Sequence, residues 1–382
     1  MTGNSTPKLI AATAILTSIA VGAAVLATVS RSEDPAQSRR ALVERLAQVE
    51  RHETLLSQVY EVDKIYPSMT GPWSSQEIRL GDPEKDETVW VTGYRAVMVG
   101  ADGDTAMPQD FMCHSNLDLD PQLHMEKTGS DPSFSPRLFT LSQGQFDIDL
   151  PAGFGIPLRS SEALNLTTQV LNLNHRRPEP VSVRHKVSLR YVLDDDLVPG
   201  MVPLMPIAAY GLALTDGKDG YFGVAQPDAE MHGPGCLVEQ SASDHAYEDP
   251  YGRTFSGHWQ VPPGRQVNRT LVTRLMQVPF ETTIHYIAVH LHPFAESLTL
   301  KDLTTGEVLF ESRAENFDDR IGLARVDAFS SVDGVPVYPD HEYELISVYD
   351  NTSGEMQDSM AVMYIYLRDV AMERRLQKGS RS

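Results

Sequence analysis

Over most of the chain, apolar positions recur every second residue. Thr88-Val89-Trp90-Val91-Thr92-Gly93-Tyr94, Leu166-Thr167-Thr168-Gln169-Val170-Leu171-Asn172-Leu173 and Ser297-Leu298-Thr299-Leu300-Lys301-Asp302-Leu303 are examples. Alternation of this kind, broken by Gly, Pro, Asp and Asn clusters, predicts short strands stacked in sandwiches or jelly rolls. No long helical pattern interrupts the series, which disfavours a parallel α/β sheet. Two stretches differ. Leu9–Val29 is an uncharged run, long enough at 1.5 Å per residue to cross a hydrocarbon core of about 30 Å. Residues 35–60 place Leu42, Leu46, Val49, Leu56 and Val59 at helical spacing behind Pro35, which predicts a helical stalk. Tyr66-Pro67-Ser68-Met69-Thr70-Gly71-Pro72 is rich in chain breakers and reads as a linker.

The expected architecture is therefore all-β. Two tandem antiparallel jelly-roll sandwiches, 77–197 and 198–370, follow an anchor at 1–30 and a helical stalk and linker at 31–76. A loop insertion is expected at about 214–258 and a tail at 371–382. Asp194-Asp195-Asp196 and the Pro-containing segment after it mark the boundary between the sandwiches.

Charge narrows the partners. The 382 residues carry 52 acidic and 32 basic side chains, a net charge of −20. That excludes nucleic acid, whose phosphates require clustered Lys and Arg, and leaves the body of the protein no attraction to anionic lipid. The 2 cysteines, Cys113 and Cys236, exclude a disulfide scaffold and a four-cysteine metal centre. Any metal would rest mainly on the 12 His and 14 Met. The apolar run 9–29 reads as an uncleaved membrane anchor in preference to a cleaved signal peptide. Both readings put the body outside the cytoplasm, periplasmic or extracellular, with the lipid bilayer as a partner of the N-terminal helix alone.

The strongest local chemistry is His290-Leu291-His292 on a strand. Side chains two apart share a face, so both imidazoles can be offered to one metal, or can serve as hydrogen-bonded core residues. Met360 opens an apolar strand near the C-terminus. Two imidazoles and a thioether suit copper, although a strand methionine is ordinarily core filling. Phe111-Met112-Cys113-His114 and Asn172-Leu173-Asn174-His175 supply two further histidines and a cysteine. His124, His232, His245 and His258 read as solvated loop residues, with His124 a substitute ligand if one were needed.

The order His114, His175, His290-x-His292, Met360 resembles the copper type II monooxygenases, the group of peptidylglycine α-hydroxylating monooxygenase and dopamine β-monooxygenase. The resemblance covers about residues 77–370. It implies two jelly rolls facing each other across a solvent-filled gap, with one copper on each. The second-domain copper, held by His290, His292 and Met360, would activate O₂ to hydroxylate a C–H bond. Tyr364 would line the substrate site. A first-domain copper at Cys113, His114 and His175 would relay electrons from a reductant such as ascorbate. Cys113 stands where the family carries histidine, and Ala288 where it carries a carboxylate-holding Arg, so a peptide ending in glycine is an unsuitable substrate. The alternatives are a non-catalytic single-copper binding protein and a metal-free jelly-roll interaction module.

Overall fold

The computed structural model describes residues 35–176, 179–196, 200–215, 220–225 and 246–379. Cys236, His232, His245 and the run Leu9–Val29 lie outside them. Among the described residues no helix is long and apolar enough to cross a membrane. The chain divides into two units, 1–41 and 42–382, and the second holds the β structure.

α1 spans Pro35–Val49 and is followed directly by β1 (Arg51–Leu56) and β2 (Tyr60–Val62). The stalk helix expected to reach residue 60 thus ends early. Its last third is recruited as sheet, because the backbone of 51–56 pairs antiparallel with a long strand further on. The rest of the N-terminal half comprises β3 (Trp73–Ile78), β4 (Thr88–Gly100), β5 (Met112–Leu119), β6 (Arg137–Ser142), β7 (Asp147–Asp149), β8 (Phe154–Arg159), β9 (Leu164–Val170) and β10 (Val181–Leu193). Between β5 and β6 lies α2 (Pro121–Thr128). Asp120 caps it, accepting from Gln122 and Leu123 N–H, and Gly129 ends it in the left-handed region.

The C-terminal half begins with β11 (Val202–Tyr210), β12 (Ala213–Leu214), β13 (Ala246–Glu248), β14 (Thr254–Ser256), β15 (Trp259–Val261) and β16 (Gly264–Leu271). After the short α3 (Thr273–Met276) come β17 (Thr282–Leu291), β18 (Ala295–Asp302), β19 (Val308–Asn316), β20 (Leu323–Val326) and β21 (Phe329–Val337). β22 (Tyr343–Asn351), β23 (Gln357–Ser359), β24 (Ala361–Arg368) and α4 (Val370–Gly379) complete it. The mostly-β expectation holds.

One sheet runs through both halves in the order β1-β10-β4-β8-β11-β24-β17-β21. The join is a parallel pairing of Phe154 and Gly155 with Val202 and Pro203. In the N-terminal half β3-β9-β5-β6 cover this sheet, and in the C-terminal half β16-β22-β18-β19-β20 form a second sheet. Alternating apolar side chains meet between the layers, and the buried core is continuous across the halves. A file of rings marks the crossing: Tyr94 on Phe139 at 5.4 Å, Phe139 on Tyr366 at 5.8 Å, and Tyr366 against Tyr286 at 5.8 Å. Direct bonds seal it, Tyr366 Oη donating to the Leu138 carbonyl at 2.8 Å and the Val289 N–H to Gln145 Oε1 at 2.8 Å.

Candidate functional site

β5 carries the first wall of the site. Its two-residue period turns Leu117 and Leu119 into the core, while His114, Asn116 and Asp118 line a cavity of about 470 Å³. Beside them on β6, Arg137 and Thr140 also face the cavity. Arg137 Nε donates to Asp118 Oδ1, and Nη1 donates to Thr140 Oγ1 at 3.1 Å. The opposite wall belongs to the C-terminal half: Tyr210 ending β11, His290 on β17, and Met360 and Tyr364 at and on β24. The β13–β14 region closes a third side with Tyr247, Ser256 and His258. Tyr210 and Tyr247 lie 6.2 Å apart between ring centroids. Met69, from the 66–72 linker, closes a fourth.

Burial sets the electrostatics. Loss of hydration pushes His114 down to about 3, and holds His290 well below the ordinary imidazole range, the neighbouring imidazoles adding to the effect. Both are neutral at physiological pH. Burial also raises Asp118 above the usual carboxylate range against the opposing pull of Arg137. Tyr210 is raised by burial and by Tyr364 and Tyr247. Asn116 Oδ1 and His290 Nδ1 are buried and make no hydrogen bond among the described residues. Such atoms cost about 1–3 kcal/mol each unless something else meets them.

The residues singled out from the sequence are dispersed as follows. His290, Met360 and Tyr364 share the cavity. The His292 ring stands perpendicular to that of His290, 5.2 Å away, but turns its Nδ1 to Asp358 Oδ2 at 3.1 Å and is absent from the cavity wall. The Tyr349 hydroxyl ties this corner together, accepting from His292 N–H at 3.4 Å and donating to the Met360 carbonyl at 2.6 Å. Cys113, His114 and His175 are not gathered into one ligand set. His175 Nε2 lies 3.3 Å from Asp110 Oδ2, with its ring against Phe111. Cys113 is buried beneath the 66–72 linker, and burial pushes its thiol up to about 11, so it is not a thiolate. Among the described residues no group of three His, Cys, Asp or Glu is placed to hold a metal ion.

Two histidines expected in solvent are not there. His124 sits buried in α2 with Nδ1 2.9 Å from Glu162 Oε2, and His258 lines the cavity. Asn116, Asp118, Arg137 and Tyr210 went unrecognised as site residues. For Asn116 and Asp118 the signal was the polar alternation His114-x-Asn116-x-Asp118 of β5.

No family model matches the chain, and no curated protein matches it. Solved structures similar to it include PNGF-II, with 9% identity, a TM-score of 0.31, and coverage of 82% of this chain and 66% of that one. The chain thus spans a little under two-thirds of PNGF-II. A peptide-N(4)-(N-acetyl-β-D-glucosaminyl) asparagine amidase is another, with 10% identity, a TM-score of 0.28, and coverage of 82% and 96%. At these values the likeness carries no activity across. The resemblance drawn from the histidine order is corrected: the solved structures just named are peptide-N-glycanases and not copper monooxygenases. The geometry agrees, since the two halves are joined by a shared sheet where facing domains across an open gap were expected. The copper monooxygenase reading of this chain is withdrawn.

Proposed function

We propose that the cavity between β5, β6, β11 and β24 binds a small, uncharged organic ligand rich in hydroxyl or amide groups. The observation that carries this reading is that Asn116 and His290, each with a buried side-chain atom that makes no hydrogen bond among the described residues, line a single cavity. A ligand rich in donors and acceptors gives such side chains the partners they lack once they turn toward it. The charge balance supports a neutral ligand, because Asp118 and Arg137 offset each other and the lining imidazoles are uncharged. The tyrosines give flat apolar area with polar rims, suited to a ring-shaped ligand. Tyr364, His290 and Met360 are proposed as contact residues. The volume is within the range of small-molecule sites.

The proposed setting is the outer side of a membrane, supported by the uncharged run Leu9–Val29. Each half is proposed to be a jelly roll, a reading supported by its layered sheets.

The test is isothermal titration of the full chain with neutral monosaccharides, disaccharides and end-blocked dipeptides, alongside their carboxylate and amine analogues. A neutral compound should bind saturably, and Asn116→Leu should weaken it about tenfold, the equivalent of one hydrogen bond of about 1.4 kcal/mol. Equal or tighter binding of the charged analogues, or no saturable binding at all, refutes the reading.

A further inference from the structure

One wall of the cavity is formed by Met69, whose backbone lies in the left-handed region. The 66–72 linker is pinned at both ends. Tyr66 and Asn172 exchange backbone hydrogen bonds at 2.9 and 3.0 Å. At the other end the Val170 N–H donates to the Pro72 carbonyl at 3.0 Å, and Gln169 Nε2 donates to the Gly71 carbonyl at 2.9 Å. Gly71 lies so close to β9 that a Cβ there would sit 1.9 Å from the Val170 oxygen. Between these pins the apex is held more lightly. Thr70 closes a turn onto the Pro67 carbonyl, and Ser68 and Met69 lie against Cys113, whose sulfur is a weak acceptor.

At the apex, Met69 has φ +63°. Methionine has no short polar side chain to stabilise the left-handed region as Asn or Asp do, so the conformation is strained. Strain of this kind persists where the surroundings impose it, and it gathers at binding sites. Here the strained residue places its side chain in the cavity wall while remaining 42% exposed.

We propose that the Pro67–Thr70 apex is a sprung wall of the cavity that swings outward to admit a ligand. Met69 is then the residue whose thioether sets the width of the closed site. This rests on the ligand-binding reading above for its purpose, but not for its motion.

Cys113 reports the motion directly, since it is 5% exposed and covered by the apex. In the full chain carrying Cys236→Ser, Cys113 is the sole thiol. Its alkylation by iodoacetamide under native conditions should outpace global unfolding measured on the same protein. Met69→Ala and Met69→Gly both remove the thioether, but only glycine removes the strain. Alkylation should therefore be slower in the glycine variant than in the alanine variant, by about fivefold. Equal rates in the two variants, or alkylation no faster than global unfolding, overturns the proposal. Neither outcome bears on ligand binding. Conversely, a neutral saccharide that binds by calorimetry should slow alkylation. Binding without that protection overturns the apex as the ligand's wall and leaves the binding reading standing.

Discussion

His185 makes the fold sensitive to acid. It is fully buried on β10, neither ring nitrogen has a hydrogen-bond partner among the described residues, and burial pushes it down to about 3. His114 shares that value. Both folded values lie below the unfolded value of 6.5, so the unfolded chain binds the proton first. Their contribution to stability is complete above pH 6.5 and is lost as pH falls from there toward 3, by about 1.4 kcal/mol per pH unit for each imidazole. His185→Leu should remove one such dependence, narrowing the difference in urea-derived stability between pH 7.5 and pH 5 by about 2 kcal/mol. An unchanged difference would show that His185 takes up its proton in the folded state. Asp118 runs the other way. Its folded value is raised, so its contribution favours folding at low pH and is lost as pH rises through that value. Arg137→Leu removes the guanidinium it bonds to and should cost about 2 kcal/mol at pH 7, discounted from a fully buried pair because both side chains are about a quarter exposed. Urea midpoints at pH 7 check it. At this scale the sequence made His290, Met360 and Tyr364 visible because each stands out on an apolar strand. Asp118 was not singled out, although it belongs to β5 while Asp120, two residues on, caps α2. Its mark was the shared period with His114 and Asn116, which says that the three face one way but not that a cavity lies there.

Elements were legible where periodicity alone decides them. The alternation at 88–94 lies within β4, while the stretches at 166–173 and 297–303 run three residues and one residue past the ends of β9 and β18. It failed between Arg51 and Leu56, where helical spacing continues through residues that the structure uses as β1. All but one of these residues are exposed, so no buried face enforces a helix, and the open edge of β10 supplies six paired positions for the backbone. Tertiary pairing outweighs a propensity of a few tenths of a kcal/mol per residue. The linker at 66–72 was recognised as a breaker segment, but its closeness to β9 is a tertiary fact. Gly71→Ala tests that closeness. The added methyl must displace the Gly71–Val170 contact, so the apex should lift and Cys113 should alkylate faster than in the parent carrying Cys236→Ser. An unchanged rate would mean that the contact is not what pins the linker.

Across the whole molecule, the halves are expected to melt together. The core is continuous, and the β8–β11 pairing carries one sheet from end to end. Calorimetry of the full chain should give one transition for residues 42–382, with calorimetric and van't Hoff enthalpies equal. Two resolved transitions would refute this. Residues 77–197 expressed alone should aggregate or remain unfolded, because β8 would lose its neighbour β11 and present an open edge. The β class was readable from alternation over hundreds of residues. The join was not, because it rests on a parallel pairing of two residues on each side, and such a short pairing changes no local period. For the same reason the histidine order was misleading: order along the chain does not record which halves share a sheet.

The position of β1 has a mechanical consequence. It is the first strand of the body, connected to α1 through Glu50 alone, and it occupies the outer edge of the long sheet with β10 as its partner. Tension arriving from the N-terminal side meets the packing of Leu46 and Val49 on Trp90 and Val192, the Arg45–Asp196 bonds and the Thr92–Glu50 bond, and then the Arg51–Tyr191 pair, from which the remaining pairs can part in succession. In the sheet order, β10, β4 and β8 stand between this strand and β11, four inter-strand spacings or about 19 Å. Peeling β1 alone would therefore leave the β11 and β24 wall in place, and the four pairings in between would absorb the pull before it reached that side of the cavity.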